Sequence, residues 1–450
     1  MKIHLIAIGG SIMHNLAITL QKAGHTVTGS DDEIYNPARD RLESYGLLPH
    51  SMGWNPSRID TSIDLIILGM HARIDNPELI KAQEYQIPIM SFPEFVYQQS
   101  LDKKRIVVTG SHGKTTTTSM ILHVLKITGF DFDYLVGAQL NGFETMVQVS
   151  DAPLLVVEGD EYLSSCLDRK PKILHYRPHI AVITGIAWDH MNVFPTFKSY
   201  KDAFSQFLST MDEGGKVYFD ESDEILTALV RDRGQHLTIK GYRPFQAKED
   251  EGTMLFDSQE IELDIFGEHN MANLKAAYLV LKDIGITDNQ FLDAIGSFKG
   301  AAKRLQMLVT GDHSALFQDF AHAPSKVKAS IKAVKKRFPK RKLTAVLELH
   351  TFSSLNKEFL PQYKDTMQDA DQGIIFVNDH TLQMKKMAAL SDEEITSAFG
   401  DHNLRVIREK DPMETWLKSQ EWNQHNLLLM TSGTLGGLDL NEISDLFSKR

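Results

Sequence analysis

The sequence is poor in cysteine, in long apolar runs and in positive charge. Its 450 residues include one cysteine, Cys166, so no disulfide can form within the chain, and a reducing compartment is indicated. No apolar run approaches the roughly 20 residues that a membrane-spanning helix requires. The opening apolar run, residues 3–8, is interrupted by Gly9 and Gly10 and is too short for a signal-peptide core. We therefore expect a cytoplasmic protein without membrane insertion.

The charge balance is acidic, with 48 Lys and Arg against 59 Asp and Glu and a net charge of −11. Nucleic acids and anionic membranes attract basic surfaces, so neither is expected to be the main partner. An anionic small substrate remains compatible, because a local pocket can be positive on an acidic protein. The hydrophobic share of 42% is that of an ordinary globular chain. The length predicts two or three domains.

Short apolar runs alternate with amphipathic helical segments, which predicts an α/β fold with doubly wound, mostly parallel sheets. We predict three domains: a Rossmann-like domain at 1–102, a central phosphate-loop ATPase domain at 103–302, and a second Rossmann-like domain at 303–450. Within the central domain, short alternating runs in residues 216–266 predict an antiparallel extension. The predicted strands are 3–8, 27–29, 65–69, 87–90, 105–109, 154–158, 180–185, 315–318, 343–349, 373–377 and 427–431.

A glycine loop between a strand and a helix carries the strongest motif, Gly110-Ser111-His112-Gly113-Lys114-Thr115-Thr116. Backbone amides in such a loop cradle polyphosphate at a helix N-terminus. Lys114 is predicted to neutralise β- and γ-phosphate oxygens, and Thr115 or Thr116 to hold Mg²⁺. The full Walker spacing would place glycine at position 108, where Val108 stands, so this is a shortened variant. The loop predicts a bound polyphosphate.

Two polar clusters follow predicted strands. Glu158-Gly159-Asp160-Glu161 comes after the apolar run 154–157, and Asp189-His190 comes after the strand 180–185. The carboxyl ends of strands in open α/β sheets are where ligands bind, and carboxylate oxygens suit Mg²⁺. Glu158 and His190 are therefore candidate metal ligands. A solvated turn and a structural histidine are the alternatives for these two positions.

These motifs, with three further segments in the same order, resemble the Mur ligases of peptidoglycan synthesis and recycling. The further segments are Gly267-Glu268-His269-Asn270-Met271-Ala272-Asn273, Lys303-Arg304 and Asp319-Phe320-Ala321-His322-Ala323-Pro324. The resemblance extends over essentially the whole chain. It implies that the three domains bind, in order, a UDP-linked substrate, ATP and an amine substrate.

The resemblance also implies roles for individual residues. Glu158 and His190 would bind Mg²⁺, and Arg304 would reach the γ-phosphate. Asp319 and His322 would lie at the start of the third domain, facing the catalytic centre, and we expect one or the other to orient or deprotonate the amine. The residues implied to contribute to the nucleotide site are His269, Asn270 and Asn273.

The implied reaction joins the lactyl carboxylate of UDP-N-acetylmuramate to an amine through an acyl phosphate. One family member uses L-alanine, and another uses the tripeptide L-alanyl-γ-D-glutamyl-meso-diaminopimelate. The long segment 162–178 resembles the tripeptide enzyme, whereas His350 in the segment 348–353 resembles the alanine enzyme. Ser205 stands where other members carry a carbamylated lysine, which is typical of the branch that acts on UDP-N-acetylmuramate. The tripeptide is the favoured amine.

Three other functions fit parts of the sequence. A phosphate-loop kinase acting on a small hydroxyl would use the central motif but no amine. An NAD oxidoreductase would use the N-terminal glycines, but Ala7 and Ile12 occupy two glycine positions of that fingerprint. The loop 9–14 suits a UDP diphosphate better. A non-catalytic nucleotide-binding scaffold is the third. The sequence does not predict the oligomeric state.

Overall fold

The computed structural model describes residues 1–450 except 189–190, 249–252, 257–258, 302, 401–402 and 449–450. The chain forms two compact units. The first comprises Met1–Ile186, Lys201–Arg243 and Ala276–Phe291, and the second comprises Ala187–Tyr200, Pro244–Lys275 and Leu292–Arg450. The first unit contains a four-stranded and a seven-stranded sheet. The second contains a hairpin and a six-stranded sheet.

The four-stranded sheet of the first unit is entirely parallel, in the order β2-β1-β3-β4. Its strands are β1 (Lys2–Ile6), β2 (Thr26–Ser30), β3 (Leu65–Leu68) and β4 (Ile89–Ser91), and its helices are α1 (Ser11–Lys22), α2 (Ala38–Ser44), α3 (Pro77–Glu84) and α4 (Phe92–Gln98). All four residues of β3 are buried. Such an uninterrupted apolar run is typical of a parallel strand covered on both faces.

The seven-stranded sheet has the order β11-β10-β9-β5-β8-β6-β7, with only β7 antiparallel to its neighbour. Its strands are β5 (Lys104–Thr109), β6 (Asp133–Leu135), β7 (Val147–Gln148), β8 (Leu154–Glu158), β9 (Ile180–Ile183), β10 (Lys216–Asp220) and β11 (Thr238–Tyr242). The helices in this stretch are α5 (Lys114–Ile127), α6 (Phe197–Ser209) and α7 (Glu224–Arg233). Strand β5 lies at the centre, so the loop after it opens at the middle of the sheet edge.

The antiparallel extension predicted for residues 216–266 is wrong for most of that stretch. Strands β10 and β11 pair in parallel and are joined through α7. The alternating pattern arises because β11 is an edge strand with alternate residues exposed. Only the hairpin of β12 (Thr253–Phe256) and β13 (Gln259–Glu262) is antiparallel. Helices α8 (Glu268–Asp283) and α9 (Asp288–Ile295) follow it.

The six-stranded sheet of the second unit has the order β14-β15-β19-β16-β17-β18, and all its pairs are parallel except β14 with β15. Its strands are β14 (Gln306–Thr310), β15 (Ala315–Asp319), β16 (Lys342–Leu349), β17 (Gln372–Val377), β18 (Leu404–Ile407) and β19 (His425–Met430). Its helices are α10 (Pro324–Arg337), α11 (Asp379–Met384), α12 (Asp392–Phe399), α13 (Lys410–Ser419) and α14 (Leu440–Ser448). Mostly parallel α/β sheets confirm the predicted fold class. Among the residues described, no helix is long and apolar enough to cross a membrane.

Candidate active site

Three chain segments that the sequence singles out end at the same edge of the seven-stranded sheet. Strand β5 pairs in parallel with β8 and β9, so that Val108 lies opposite Glu158 and Thr109 lies opposite Ile183. The pairing continues past the strands, because Thr184 donates its backbone N–H to the Thr109 carbonyl at 2.9 Å. The glycine loop, the acidic cluster and the end of β9 are therefore neighbours.

The glycine loop has a backbone that only glycine accommodates at its first position. Gly110 has φ +122°, and a Cβ there would lie 2.5 Å from the Thr184 hydroxyl oxygen. Gly113 caps the N-terminus of α5 with φ +75°. The Ser111 N–H donates to the Gly185 carbonyl at 2.9 Å, and the Thr184 hydroxyl donates to the His112 carbonyl. The end of β9 thus fixes the shape of the loop.

Lys114 is the first residue of α5, and its ammonium lies in a strongly acidic setting. Nζ is 2.8 Å from Glu161 Oε2 and donates to the Gly110 carbonyl at 2.7 Å. The Glu161 side chain is 0% exposed and that of Lys114 is 15% exposed. Burial disfavours the charged form of Lys114, but the nearby carboxylates, Glu161 above all, outweigh it and raise the pKa of Lys114. Lys114 is therefore a cation at neutral pH.

Glu158 and Thr115 present oxygen ligands beside Lys114. The Thr115 hydroxyl donates to Glu158 Oε1 at 2.8 Å, and the Gly137 N–H donates to Oε2 at 2.7 Å. A Cβ on Gly137 would lie 2.8 Å from that carboxylate, so glycine is needed for the approach. A carboxylate and a hydroxyl fit Mg²⁺, which in proteins takes one or two carboxylates and completes its shell with waters and phosphate oxygens. His190, the third candidate ligand, lies outside the described residues.

The other carboxylate of the acidic cluster is tied to the long segment after it. Asp160 forms an ion pair with Lys172 at 2.7 Å, and the Lys172 ammonium lies 5.9 Å from the centre of the Tyr162 ring. The Lys172 N–H donates to the Tyr162 carbonyl at 2.8 Å, and Leu163 bridges Pro171. The segment from 162 to 172 is therefore a closed loop held against the phosphate-loop edge.

The loop at the end of β1, where a UDP diphosphate is predicted to rest, contacts a buried carboxylate that directly follows β2. Asp31 accepts the Gly9 N–H at 2.7 Å and is 8% exposed. Burial is the main cause that raises the pKa of Asp31 to about 6, and a hydrogen bond with Asp32 adds to it. Three residues into α1, His14 Nδ1 lies 2.9 Å from the Gly10 carbonyl, and burial lowers the pKa of His14.

The predicted nucleotide residues of α8 belong to the second unit. The Asn270 amide donates to the Phe266 carbonyl at 2.8 Å, and the Asn273 amide lies 3.5 Å from Asn270 Oδ1. Gly267 has φ +90°, and a Cβ there would lie 2.9 Å from the His269 ring. His269, Asn270 and Asn273 thus lie in the first two turns of α8.

Arg304, Asp319 and His322 also belong to the second unit. The Arg304 guanidinium lies 4.7 Å from the centre of the Phe320 ring, and the His322 ring packs edge-on against it at 5.5 Å. Asp319 accepts the Leu305 N–H at 3.1 Å and the Ser330 hydroxyl. The structure therefore places Arg304 and His322 on the same ring, whereas Asp319 directs its carboxylate to Leu305 and Ser330.

A second polar group lies at the ends of β16 and β19. His350 Nδ1 is 3.8 Å from Glu348 Oε1, and the Thr431 hydroxyl donates to the same carboxylate. A Cβ on Gly433 would lie 2.7 Å from His350 Nδ1, which explains the glycine. Burial lowers the pKa of His350, and Lys385 adds to this, against the raising effect of Glu348.

Sequence reasoning did not assign three residues that build the Lys114 site. Glu161 was recognised as part of an acidic cluster, but its pairing with Lys114 was not predicted. Thr184 directly follows β9, and its hydroxyl is within donating distance of the carbonyls of Thr109, at the end of β5, and His112, in the loop. Gly137 has no local signal, because it meets Glu158 from the loop after β6, 21 residues earlier in the chain.

Family models match most of the first unit's sequence. The model of the Mur ligase family catalytic domain matches residues 2–104, and that of the Mur ligase middle domain matches residues 108–281. A UDP-N-acetylmuramate–L-alanine ligase of Caldicellulosiruptor saccharolyticus is 30% identical over 412 residues, which is 88% of this chain and 87% of that protein. The chain belongs to the Mur ligase family.

Two further similarities come from the tripeptide branch. The UDP-N-acetylmuramate–L-alanyl-γ-D-glutamyl-meso-2,6-diaminoheptandioate ligase of Escherichia coli is 29% identical over 346 residues, 74% of this chain and 76% of that one. The crystal structure of a murein peptide ligase from Psychrobacter arcticus covers 100% of this chain and 99% of its own, with TM-score 0.69 and 22% identity. That structure supports the fold alone.

Mur ligases are ATP-dependent ligases that form amide bonds, so this protein is an enzyme of that class. The family also confirms the resemblance read from the sequence motifs. The assignment of individual residues to catalysis, nucleotide binding and Mg²⁺ stays a prediction.

Proposed function

We propose that the protein joins the lactyl carboxylate of UDP-N-acetylmuramate to the amine of L-alanyl-γ-D-glutamyl-meso-diaminopimelate, in the cytoplasm and with ATP and Mg²⁺. The observation that carries the ligase assignment is the Lys114 site: a charged lysine in a glycine loop, 2.8 Å from Glu161, beside a Thr115–Glu158 oxygen pair. This arrangement suits a triphosphate and a divalent cation.

A carboxylate needs activation before an amine can displace one of its oxygens. One carboxylate oxygen attacks the γ-phosphorus, the bond to the β-phosphate bridging oxygen breaks, and ADP leaves. The neutral amine then attacks the carbonyl carbon of the acyl phosphate, and inorganic phosphate leaves with the C–O bond electrons. Enzymatic phosphoryl transfer depends mainly on positioning and charge stabilisation. We assign that work to Lys114 and Arg304.

Mg²⁺, held by Thr115, Glu158 and His190, would supply positive charge to the phosphate oxygens. The loop residues Gly110, Ser111, His112, Gly113 and Thr116 would surround the phosphates, with His269, Asn270 and Asn273 contributing to the nucleotide site. Gly137 is a positioning residue in this scheme, because its N–H fixes the second oxygen of Glu158.

Of the two candidates that would handle the amine proton, His322 is the better acceptor. Both Asp319 oxygens already accept hydrogen bonds, from Leu305 and Ser330, so Asp319 orients its surroundings. His322 Nδ1 lies 2.9 Å from the Phe320 carbonyl, which can only accept, so Nδ1 carries the proton in the neutral form of the ring. His322 Nε2 is then the nitrogen that can take a proton.

The choice of the tripeptide rests on the closed loop 162–172 and on the tripeptide ligase relative from Escherichia coli. The second candidate, L-alanine, is favoured by His350 in the polar group with Glu348 and by the 30% identical alanine ligase relative. Both candidates share the acceptor carboxylate and the acyl phosphate, so only the amine separates them.

One assay decides between the amines. The protein is supplied with UDP-N-acetylmuramate, ATP and Mg²⁺, and ADP release is measured with the tripeptide and with L-alanine in parallel. The proposal predicts a higher kcat/KM for the tripeptide. Faster turnover of L-alanine would transfer the assignment to the alanine reaction, and ADP release that needs no amine would point to a kinase.

A further inference from the structure

Helix α10 and the turn after it form a basic segment on an acidic chain. Residues 324–342 contain nine Lys and Arg and no Asp or Glu. The rest of the chain then carries 39 Lys and Arg against 59 Asp and Glu. A solvated helix usually mixes both signs, because opposite charges four residues apart stabilise it and like charges destabilise it.

The fold uses part of this positive charge. Lys335 pairs with Asp371 at 2.5 Å, and the Arg337 guanidinium lies 4.9 Å from the centre of the Phe266 ring. Arg341 lies over another ring and donates to a backbone carbonyl. Cations in the last turn of a helix also interact favourably with its dipole. These residues therefore have structural roles within the second unit.

Three of the remaining lysines of the segment face solvent in a line along α10, and a fourth follows the helix. Lys328, Lys332 and Lys336 are exposed and four residues apart, hence on one face of α10 at intervals of about 6 Å. Lys340 is exposed just beyond the helix. These four residues are here called the lysine stripe. Within the described part of the chain, Lys328, Lys332 and Lys340 form no ion pair.

The opposite face of α10 is already covered, so the stripe is the face available for a partner. Val327, Ile331 and Val334 on that face are 0% exposed and belong to the core of the second unit. The lysines at 328 and 332 lie before the last turn, so the helix dipole does not account for them. Lys332 lies four residues from both Lys328 and Lys336, and like charges at this spacing destabilise a helix. The segment contains no acidic residue that could offset this repulsion.

The composition of the stripe indicates what it contacts. Stable protein interfaces are rich in Arg and aromatic residues and poor in Lys, and the arginines of this segment lie against the fold. Lysine is a compact, strongly hydrated point charge that suits a diffuse anionic surface better than a bidentate partner. Near an anionic lipid surface, each lysine adds roughly the same amount to the binding free energy. We propose that the lysine stripe docks the protein reversibly on an anionic lipid bilayer, without insertion.

The test is co-sedimentation of the full chain with phosphatidylcholine vesicles that contain phosphatidylglycerol. The stripe variant is Lys328→Gln/Lys332→Gln/Lys340→Gln. The matched control, Lys104→Gln/Lys240→Gln/Lys364→Gln, removes the same charge from exposed lysines elsewhere. We expect the stripe variant to lose lipid partitioning on the order of 100-fold and the control to lose far less. The parent should also detach at about 1 M salt, where the Debye length is about 3 Å.

Several outcomes would overturn the proposal. They are equal sedimentation with pure phosphatidylcholine, an equal loss in both triple variants, or binding that survives high salt. Stripe-dependent binding to poly-L-glutamate without any to phosphatidylglycerol vesicles would assign an acidic protein as partner instead. Vesicle-free ADP release by the stripe variant should match the parent, which shows that the variant is folded. The vesicle readout does not depend on which amine is the substrate.

Discussion

The ion pair of Lys114 and Glu161 gives a prediction that separates catalysis from stability. Lys114→Met removes the cation and leaves a carboxylate at a position that is 0% exposed. Breaking a buried ion pair by removing one partner costs about 3–5 kcal/mol. Because Lys114 itself is 15% exposed, we expect the lower end of that range, about 3 kcal/mol. At about 2–4 °C per kcal/mol, the first unit should melt about 6–12 °C lower.

The double variant Lys114→Met/Glu161→Gln is the informative control. Replacing both charges with neutral groups of similar shape is often close to neutral for stability. We therefore expect this variant to recover most of the lost Tm while ADP release stays abolished. Thermal unfolding and ADP release in the presence of all three substrates are the two measurements.

Two results would refute this reasoning. Turnover near the parent rate in either variant would remove Lys114 from the reaction. A single variant that melts at the parent temperature would mean that Glu161 does not depend on Lys114, and that its carboxylate is satisfied by other groups of the site. Glu161→Gln alone should lower Tm less than Lys114→Met, because Asp160 and Glu158 still stabilise the Lys114 cation.

Three further predictions test other parts of the site. Gly110→Ala should abolish ADP release, because its Cβ would lie 2.5 Å from the Thr184 hydroxyl oxygen. The control Gly129→Ala, at a position with φ +70° and open space, should lower the free energy of unfolding by about 1–2 kcal/mol and keep activity. Glu158→Gln should raise the Mg²⁺ concentration for half-maximal activity by at least about 10-fold, in a Mg²⁺ titration of ADP release; an unchanged requirement would remove Glu158 from the metal site. The raised pKa of Asp31, about 6 against an ordinary 3.8, means that the folded state holds a proton which the unfolded state releases. Stability from this group therefore falls as pH rises from about 4 to about 6, and Asp31→Asn should gain up to about 3 kcal/mol over the parent above pH 6 in urea denaturation, but nothing below pH 4.

The fold class and the phosphate loop are readable from the sequence because their signals are local. Buried parallel strands such as β8 are uninterrupted apolar runs, and the loop 110–116 places glycines, lysine and threonine in consecutive positions. Strands β14 and β18 were not predicted, because both are partly exposed and neither is an uninterrupted buried run. Strand β11 was predicted to be antiparallel but pairs in parallel with β10. The burial of an edge strand alternates in either orientation, so the pattern does not reveal the direction of pairing.

The unpredicted part of the candidate site consists of contacts between segments distant in sequence. Lys114 and Glu161 are 47 residues apart, and Glu158 meets Gly137 across 21 residues. Such pairs depend on strand order, which local patterns do not encode. The contact of Arg304 with Phe320 similarly depends on how the turn before β14 lies against the end of β15. The residue types were predictable, but their partners were not.

The fate of one oxygen atom tests the proposed chemistry most directly. UDP-N-acetylmuramate labelled with ¹⁸O in its lactyl carboxylate is turned over with ATP and the amine, and the released phosphate is analysed by mass spectrometry. Attack of the carboxylate on the γ-phosphorus predicts one labelled oxygen in the phosphate for each amide bond formed. Product formation with wholly unlabelled phosphate would contradict activation of the acid at the Lys114 site.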